Sequence, residues 1–341
     1  MLEASERRLL KRLKLKKIET DDLELTRVPH GTGFAIRDAA GNAVSDPIVK
    51  ARISEIVIPP AWREVRIAAE PEAHLQAVGR DEAGRLQYIY HPDWEHIRSA
   101  RKIARLKELG DALPGLRKGL RGHLGDRHLS RPSIIAAAVT LIDRAALRAG
   151  HEAYAGDEGG RGAATLLKRH ATVEGKRINL DFRGKGGKHI VKAIDDARLA
   201  RRIGMLKDVP GRRLFKEREG RIAKPVTAED LNAYLREATG ADVTAKDFRT
   251  FRASAHALEL LCAFPPASAT ERRKALATIC REVSGLLDNT PAVCRSSYIH
   301  ATILDAFEEE SLAASLVGSR PRAGLTRAET ALMRFLEAQE P

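Results

Sequence analysis

Apolar and polar positions alternate in two different textures along the chain. Between residues 31 and 94, turn signals (Gly31-Thr32-Gly33, Ala40-Gly41-Asn42, Pro59-Pro60, Gly84-Arg85) separate short β-prone runs such as Ile56-Val57-Ile58 and Leu86-Gln87-Tyr88-Ile89-Tyr90. This predicts a small β-rich domain. After His91-Pro92-Asp93-Trp94 the texture turns helical. The pattern over 133–150 predicts a helix with Pro132 at its start and Gly150 as a left-handed C-cap. Ile134, Ala138, Leu141 and Ala145 form its apolar stripe, and Arg148 takes the next position on that stripe. An arginine there, taken alone, caps the last carbonyls or snorkels to solvent. Ile178, Leu180 and Phe182 then alternate with period two between the turns Glu174-Gly175 and Gly184-Lys185-Gly186-Gly187. That pattern predicts a β-hairpin or small meander with Lys185 in its tight turn.

Further along, Thr244 and Asp247 form a capping-box-like start for a helix to about residue 261. Its stripe is Phe248, Phe251, Ala255, Leu258 and Cys262, with Arg249 in the first turns, half facing the core. Asn289-Thr290-Pro291 opens a short helical element, and Ser296-Ser297 precede Tyr298 and a helix over 299–316. Residues 324–338 form a last amphipathic helix, with Leu325, Ala328, Leu332, Phe335 and Leu336 available for docking. The expected organisation is α+β: a β-rich domain over 1–94, a basic connection over 95–125, a larger, mainly helical domain with a small sheet over 126–320, and a C-terminal helix over 321–341. At 341 residues and 43% hydrophobic composition, the chain is long and apolar enough for about two cored domains.

Charge narrows the class of partner. Lys and Arg total 59 against 46 Asp and Glu, a net +13, which calls for an anionic partner, either nucleic acid or an anionic membrane. No run of roughly 20 apolar residues exists, and charge interrupts the N-terminal stretch throughout, so it is neither a signal peptide nor a spanning helix. The cations concentrate at 101–121 and 201–224, two candidates for contact with a nucleic-acid backbone. Cys262, Cys280 and Cys294 are widely spaced, lack CxxC pairing and are expected as ordinary thiols of a reducing cytosol.

The residues also exclude some chemistry. The GKGGK turn lacks the spacing of a phosphate-binding loop, so ATP binding is not supported. No His or Asp cluster at metal-ligand spacing and no GxSxG elbow is present, which leaves hydrolysis by metal or serine without a handle. What remains is Arg, Lys and five tyrosines. Those are the groups that phosphoryl transfer without a metal needs: a phenol as nucleophile, guanidiniums for the nonbridging oxygens, and a lysine to protonate the leaving alkoxide.

Five blocks carry a family resemblance: GRDEAGRLQYIYHPDW (79–94), LRAG followed by EAYA (147–150 and 152–155), INLDFRGKGGK (178–188), TAKDFRTF (244–251) and NTPAVCRSSYIHATIL (289–304). Together, in this order, they resemble the small poxvirus-like type IB DNA topoisomerases of bacteria over about residues 31–307. The resemblance implies that Tyr298 attacks a DNA phosphodiester, forms a 3′-phosphotyrosyl link and releases a 5′-hydroxyl. It further implies that Arg148 and Arg249 contact the scissile phosphate and that Lys185 protonates the departing oxygen, with Lys188 as the rival lysine. Gln87, Tyr88, Tyr90 and Lys246 match DNA-contacting positions. Where poxvirus relatives carry His nine residues before the nucleophile, this chain has Asn289, whose amide can donate a hydrogen bond but supplies no charge.

The implied function is relaxation of supercoils by nicking one strand, rotation and resealing, with no ATP, metal or cofactor. The expected partner is double-stranded DNA, clamped by a monomer in the bacterial cytoplasm at the nucleoid, with no membrane involved. A tyrosine recombinase shares the Arg, Lys and Tyr chemistry, but it lacks the GRLQYIY segment and the Asn289-to-Tyr298 spacing of the topoisomerase form. A noncatalytic DNA-binding protein is the alternative from another class.

Overall fold

The computed structural model describes residues 2–156, 159–220, 222–264, 268–313, 315–318 and 320–339. Arg221 of the second basic block lies outside the described residues. The chain divides into two compact units, residues 1–102 and 103–341. No helix among the described residues is long and apolar enough to cross a membrane.

The first unit begins with helix α1 (Leu2–Arg12). Strands β1 (Leu25–His30) and β2 (Gly33–Arg37) pair as a hairpin across Gly31, whose φ of +56° is the left-handed conformation a tight turn requires. Helix α2 (Pro47–Glu55) starts on Pro47 behind Asp46, whose carboxylate accepts the Ile48 N–H. Strands β3 (Arg63–Ile67), β4 (Leu75–Arg80) and β5 (Leu86–Tyr90) complete an antiparallel sheet in the order β2-β1-β3-β4-β5. Leu25, Val65, Ile67 and Ala77 of this sheet bury against Ile53 of α2. Strand β5 lies at the sheet edge and alternates outward and inward side chains, so Tyr88 and Tyr90 stand exposed side by side with ring centroids 6.1 Å apart. Helix α3 (Trp94–Gly125) starts in this unit, where Trp94 and Ile97 pack with Leu15; from residue 103 onward it belongs to the second.

The second unit has its core around helix α4 (Arg131–Ala145), nearly all of which is buried. The helix ends a full turn earlier than the sequence pattern suggested. Ala146 takes the left-handed cap conformation at φ 53°, and Arg148 lies beyond the helix rather than on its stripe. Strands β6 (Ala171–Glu174), β7 (Arg177–Arg183) and β8 (His189–Asp195) form the expected meander, with Ile178, Leu180, Phe182, Ile190 and Ile194 facing the core. Next come helix α5 (Ala197–Asp208), the ribbon of β9 (Lys216–Glu219) and β10 (Ile222–Pro225), and helices α6 (Ala228–Thr239), α7 (Ala245–Cys262) and α8 (Ala269–Leu287). A short α9 (Pro291–Val293) leads into a π-helical turn, Cys294–Tyr298, followed by α10 (Ala301–Glu308), α11 (Ser315–Gly318) and α12 (Arg327–Ala338). The helix expected over 299–316 therefore stops at Glu308. The class is α+β, as expected.

The two basic blocks differ from the solvated faces that charge runs usually make. Arg202 is 1% exposed and donates to the carbonyls of His123, Leu124, Asp126 and His128, closing the C-terminal end of α3. Lys216 is also buried; it donates to Arg213 O, and burial followed by the nearby Lys168 charge pushes its pKa down to about 8. In the first block, Arg117 of α3 makes charged hydrogen bonds of 2.8 Å to Asp143 of α4 and Glu329 of α12. With Leu332, Phe335 and Leu336 buried, this bridge docks the C-terminal helix. Several of the cations that sequence alone offers to DNA are thus spent inside the fold.

Candidate active site

Two helix ends and one buried arginine organise the site. At the end of α4, the left-handed Ala146 turns the chain into an extended segment, where Ala163 N–H donates to Arg148 O and Ala164 N–H to Ala149 O, each at 2.8 Å. A Cβ on Gly162 would lie 2.5 Å from Arg148 O, so only glycine permits this approach. At the end of α8, Asp288 repeats the left-handed cap at φ 52°, Asn289 N–H returns to Ser284 O at 3.0 Å, and Thr290 caps α9. The π-helical turn then delivers Tyr298, anchored through the fully buried Cys294, whose carbonyl accepts Ile299 N–H.

Arg249, in the second turn of α7, is 3% exposed. Its two Nη atoms donate to Ala146 O and Leu287 O, the latter at 2.8 Å. These carbonyls belong to the C-terminal ends of α4 and α8, where helix dipoles concentrate partial negative charge, and that makes burial of the guanidinium tolerable. Its Cζ lies 5.0 Å from the Tyr298 ring centroid, and its buried Nε has no hydrogen-bond partner among the described residues. Arg148 reaches the same place from the other side, donating from Nη2 to Asn289 Oδ1 at 2.5 Å. The Asn289 Nδ2 is buried and makes no close hydrogen bond among the described residues; it faces the Tyr298 phenol and can donate to an incoming oxygen.

These neighbours act on the phenol. Burial by itself would raise the Tyr298 pKa, but the charge and N–H groups of Arg249, the charge of Arg148 and the Asn289 amide outweigh it and hold the phenol below its ordinary value. The backbone beside it is also fixed. Ser254 of α7, fully buried, donates to Tyr298 O at 3.2 Å and accepts His300 N–H at 3.1 Å.

The β7–β8 hairpin is fastened to the same corner. Lys192 bonds Leu286 O at 3.0 Å and pairs with Asp288 at 2.9 Å, while Lys188 Nζ donates to Asn289 O at 3.2 Å. Lys185 sits in the hairpin turn as expected, where Gly186 and Gly187 both have positive φ; it is exposed and makes no hydrogen bond among the described residues. On the opposite side, the backbone of Gly160 packs so closely on the turn that a Cβ there would lie 2.7 Å from Gly184 O and 2.8 Å from Lys185 Cα.

The fold therefore gathers Arg148, Arg249, Asn289 and Tyr298, and ties down the hairpin that carries Lys185. Lys246 lies one turn before Arg249, exposed on α7, and makes no side-chain hydrogen bond or ion pair with the other four among the described residues. Gln87, Tyr88 and Tyr90 belong to the first unit, where the Gln87 amide donates to Asp81 at 2.9 Å.

Comparisons with known proteins identify the family. A family model described as the eukaryotic DNA topoisomerase I catalytic core matches residues 93–315, and one described as the bacterial DNA topoisomerase IB N-terminal domain matches residues 33–81. The DNA topoisomerase 1B of Acanthamoeba polyphaga mimivirus is 30% identical over 268 residues, covering 75% of this chain and 79% of the viral protein. This chain belongs to the type IB DNA topoisomerases.

As a topoisomerase it is an isomerase acting on DNA. Two charged guanidiniums and a neutral amide around one acidified phenol are suited to hold the oxygens of a phosphodiester while the phenolate attacks phosphorus. Sequence reasoning missed Ser254 and the glycines at 160 and 162. The sole signal for Ser254 is a small polar residue among the inward positions of α7. The close approach of residues 160 and 162 to the segments of Lys185 and Arg148 spans strand and loop boundaries that periodicity does not reveal.

Proposed function

We propose that Tyr298 is the nucleophile with which this topoisomerase nicks one strand of duplex DNA. The Tyr298 phenol gives up its proton to solvent and attacks phosphorus as the phenolate, the bond to the 5′ oxygen breaks, and the Lys185 ammonium gives that oxygen its proton. The 3′ end is left as a phosphotyrosine. Arg148, Arg249 and the Asn289 Nδ2 hold the nonbridging oxygens, and Lys246 lies toward the leaving group. After the duplex has rotated about the intact strand, the 5′-hydroxyl returns its proton to Lys185 and attacks the phosphotyrosine. Bond energy is conserved, so no nucleotide enters the cycle.

The observation that carries this reading is the convergence of Arg249, Arg148 and Asn289 on the half-buried Tyr298, an arrangement that lowers the phenol. Around this centre, residues 126–320 form the catalytic region, 1–94 a DNA-clamping domain that contacts the duplex through Gln87, Tyr88 and Tyr90, 95–125 the basic connection, and 321–341 a docked helix. The enzyme closes on DNA as a monomer and works in the bacterial cytoplasm. Exposed tyrosines on a sheet edge are suited to such contact, because their rings offer both stacking faces and hydroxyls.

The test incubates the protein with supercoiled plasmid in EDTA without nucleotide and stops the reaction with detergent. Relaxation with a covalent protein–DNA adduct, both lost in Tyr298→Phe, is the expected result. Unchanged relaxation by that variant overturns the assignment.

A further inference from the structure

Helix α4 ends without the usual backbone closure. The left-handed residue at its end is Ala146 rather than a glycine, and neither Ala146 nor Leu147 returns a backbone N–H to the last turn among the described residues. The last carbonyls of a helix have no partner within it, so those of α4 are met from elsewhere. Helix α7 meets them with two arginines one turn apart. Arg249 gives Nη1 to Ala146 O, while Arg252 gives its Nη1 to Asp143 O at 2.8 Å and to Arg144 O. Side chains of α7 thus do the work of a missing C-cap.

The surroundings of Arg252 show what it is placed to do. Asp143 puts its carboxylate on Arg117 of α3 at 2.8 Å and its carbonyl on Arg252, so one residue at the end of α4 is gripped from two sides. Glu329 of α12 shares Arg117 at 2.8 Å. Burial pulls the Arg252 pKa below the ordinary guanidinium value, Asp143 and Glu329 oppose that pull, and Arg117 and Arg144 add to it. A guanidinium keeps its charge under such pressure. Arg252 makes no ion pair with either carboxylate among the described residues. A cation that has two carboxylates for neighbours and spends its N–H groups on backbone carbonyls is placed to hold backbone.

The backbone it holds runs directly into the site. Ala146 turns the chain, Leu147 is 2% exposed and packed in the core, and Arg148 then reaches Asn289 Oδ1 at 2.5 Å. Without Arg252 the end of α4 would be held from α7 by Arg249 alone, which also serves Leu287 O at 2.8 Å and faces the Tyr298 ring. We propose that Arg252 is a positioning residue for strand cleavage: by holding the end of α4 it sets where the Arg148 guanidinium stands, and it acts through Arg148 rather than on the reacting atoms. The proposal rests on the reading that Arg148 holds a nonbridging oxygen of the scissile phosphate.

The experiment is a double-mutant cycle on single-turnover cleavage by the full chain, read at saturating protein on an ordinary duplex. Arg252→Met keeps the bulk of the stem and removes the donors. It is expected to slow cleavage about tenfold, while noncovalent binding of the same duplex, measured with Tyr298→Phe added, stays unchanged. In a chain carrying Arg148→Ala the same substitution costs nothing further, because the side chain it positions is gone. Arg252→Lys keeps a cation in the cluster and preserves the fold if Arg252→Met does not. Its flexible stem fixes the carbonyls less firmly, so it slows cleavage by a smaller factor, again only where Arg148 is present. The proposal is overturned if either substitution slows the Arg148→Ala chain by the same factor that it costs the unaltered chain, which is a general loss of structure, or if Arg252→Met cleaves at the unaltered rate. Arg148→Ala by itself separates the two claims. Normal cleavage by that variant removes the reading of Arg148 on which the proposal rests, whereas impaired cleavage with an additive Arg252 effect removes the proposal alone.

Discussion

Gly160→Ala tests how the Lys185 turn is held. Gly160 needs no unusual backbone conformation, so an alanine there acts through space alone. Its Cβ would lie 2.8 Å from Lys185 Cα and from Gly184 C, and 2.7 Å from Gly184 O, all backbone atoms that no rotamer change can move aside. Ordinary contact begins at 3.4 Å, so the turn must shift by about 0.7 Å. Overpacking of this kind costs about 1–3 kcal/mol of stability. A misplacement near 1 Å can cost 10²-fold in rate, so a shift of this size should slow strand cleavage on the order of tenfold. The informative assay compares two duplexes under single-turnover conditions, one ordinary and one with sulfur in place of the bridging 5′ oxygen. A thiol is far more acidic than a sugar hydroxyl and leaves without a proton from the enzyme. If Lys185 is the general acid, Gly160→Ala and Lys185→Ala both slow the ordinary duplex and largely spare the sulfur one. Equal slowing of both duplexes by Lys185→Ala would refute the assignment, and an unimpaired Gly160→Ala would refute the packing argument.

Four further outcomes follow. Asn289→Ala removes the acceptor of Arg148 Nη2 and the Nδ2 donor; a lost hydrogen bond to a charged group is worth about 1.5–3 kcal/mol, so single-turnover cleavage should fall at least tenfold, while Asn289→His should retain or raise it. Ultraviolet titration of the free enzyme should show a phenol ionising below the ordinary tyrosine range, and that early phase should be absent from Tyr298→Phe; its persistence would assign the lowered pKa elsewhere. Arg117→Ala leaves Asp143 and Glu329 buried without their cation and should lower stability by about 3–5 kcal/mol, read as a reduced thermal midpoint, with Glu329→Gln costing less. His170 binds its proton near pH 4 in the fold and near 6.5 when unfolded, so between these values the unfolded chain holds more protons. Stability should fall as pH drops from about 6.5 toward about 4, and His170→Asn should show a smaller loss between pH 7 and pH 5 in thermal melts.

What could be read in advance was local. The Thr244 and Asp247 pair starts α7 because a capping box satisfies orphan N–H groups within four residues, and Thr290 with Pro291 starts α9 for the same reason. The β7–β8 hairpin follows from strict alternation on either side of glycines that can adopt positive φ. The end of α4 escaped the pattern because its left-handed cap falls on Ala146, not on Gly150. An alanine pays a steric cost in that conformation, and nothing in its neighbours signals it. The same step moved Arg148 off the helix, where its carbonyl accepts the Ala163 N–H.

By itself the sequence determined the elements, the α+β class and, through five blocks in order, the family and the tyrosine to examine. It could not separate cations for DNA from cations for the fold, because Arg202, Arg117 and Arg249 resemble their exposed neighbours until the chain closes over them. Their partners are carbonyls and carboxylates distant in sequence, brought near only by packing. The acidity of Tyr298 is likewise tertiary. It depends on the balance between burial, which raises the phenol, and the Arg249 charge from α7, the Arg148 charge from beyond α4 and the Asn289 amide from beyond α8, which lower it. Charge falls off with distance in space, not along the chain, so the fold alone decides which cations act on that oxygen.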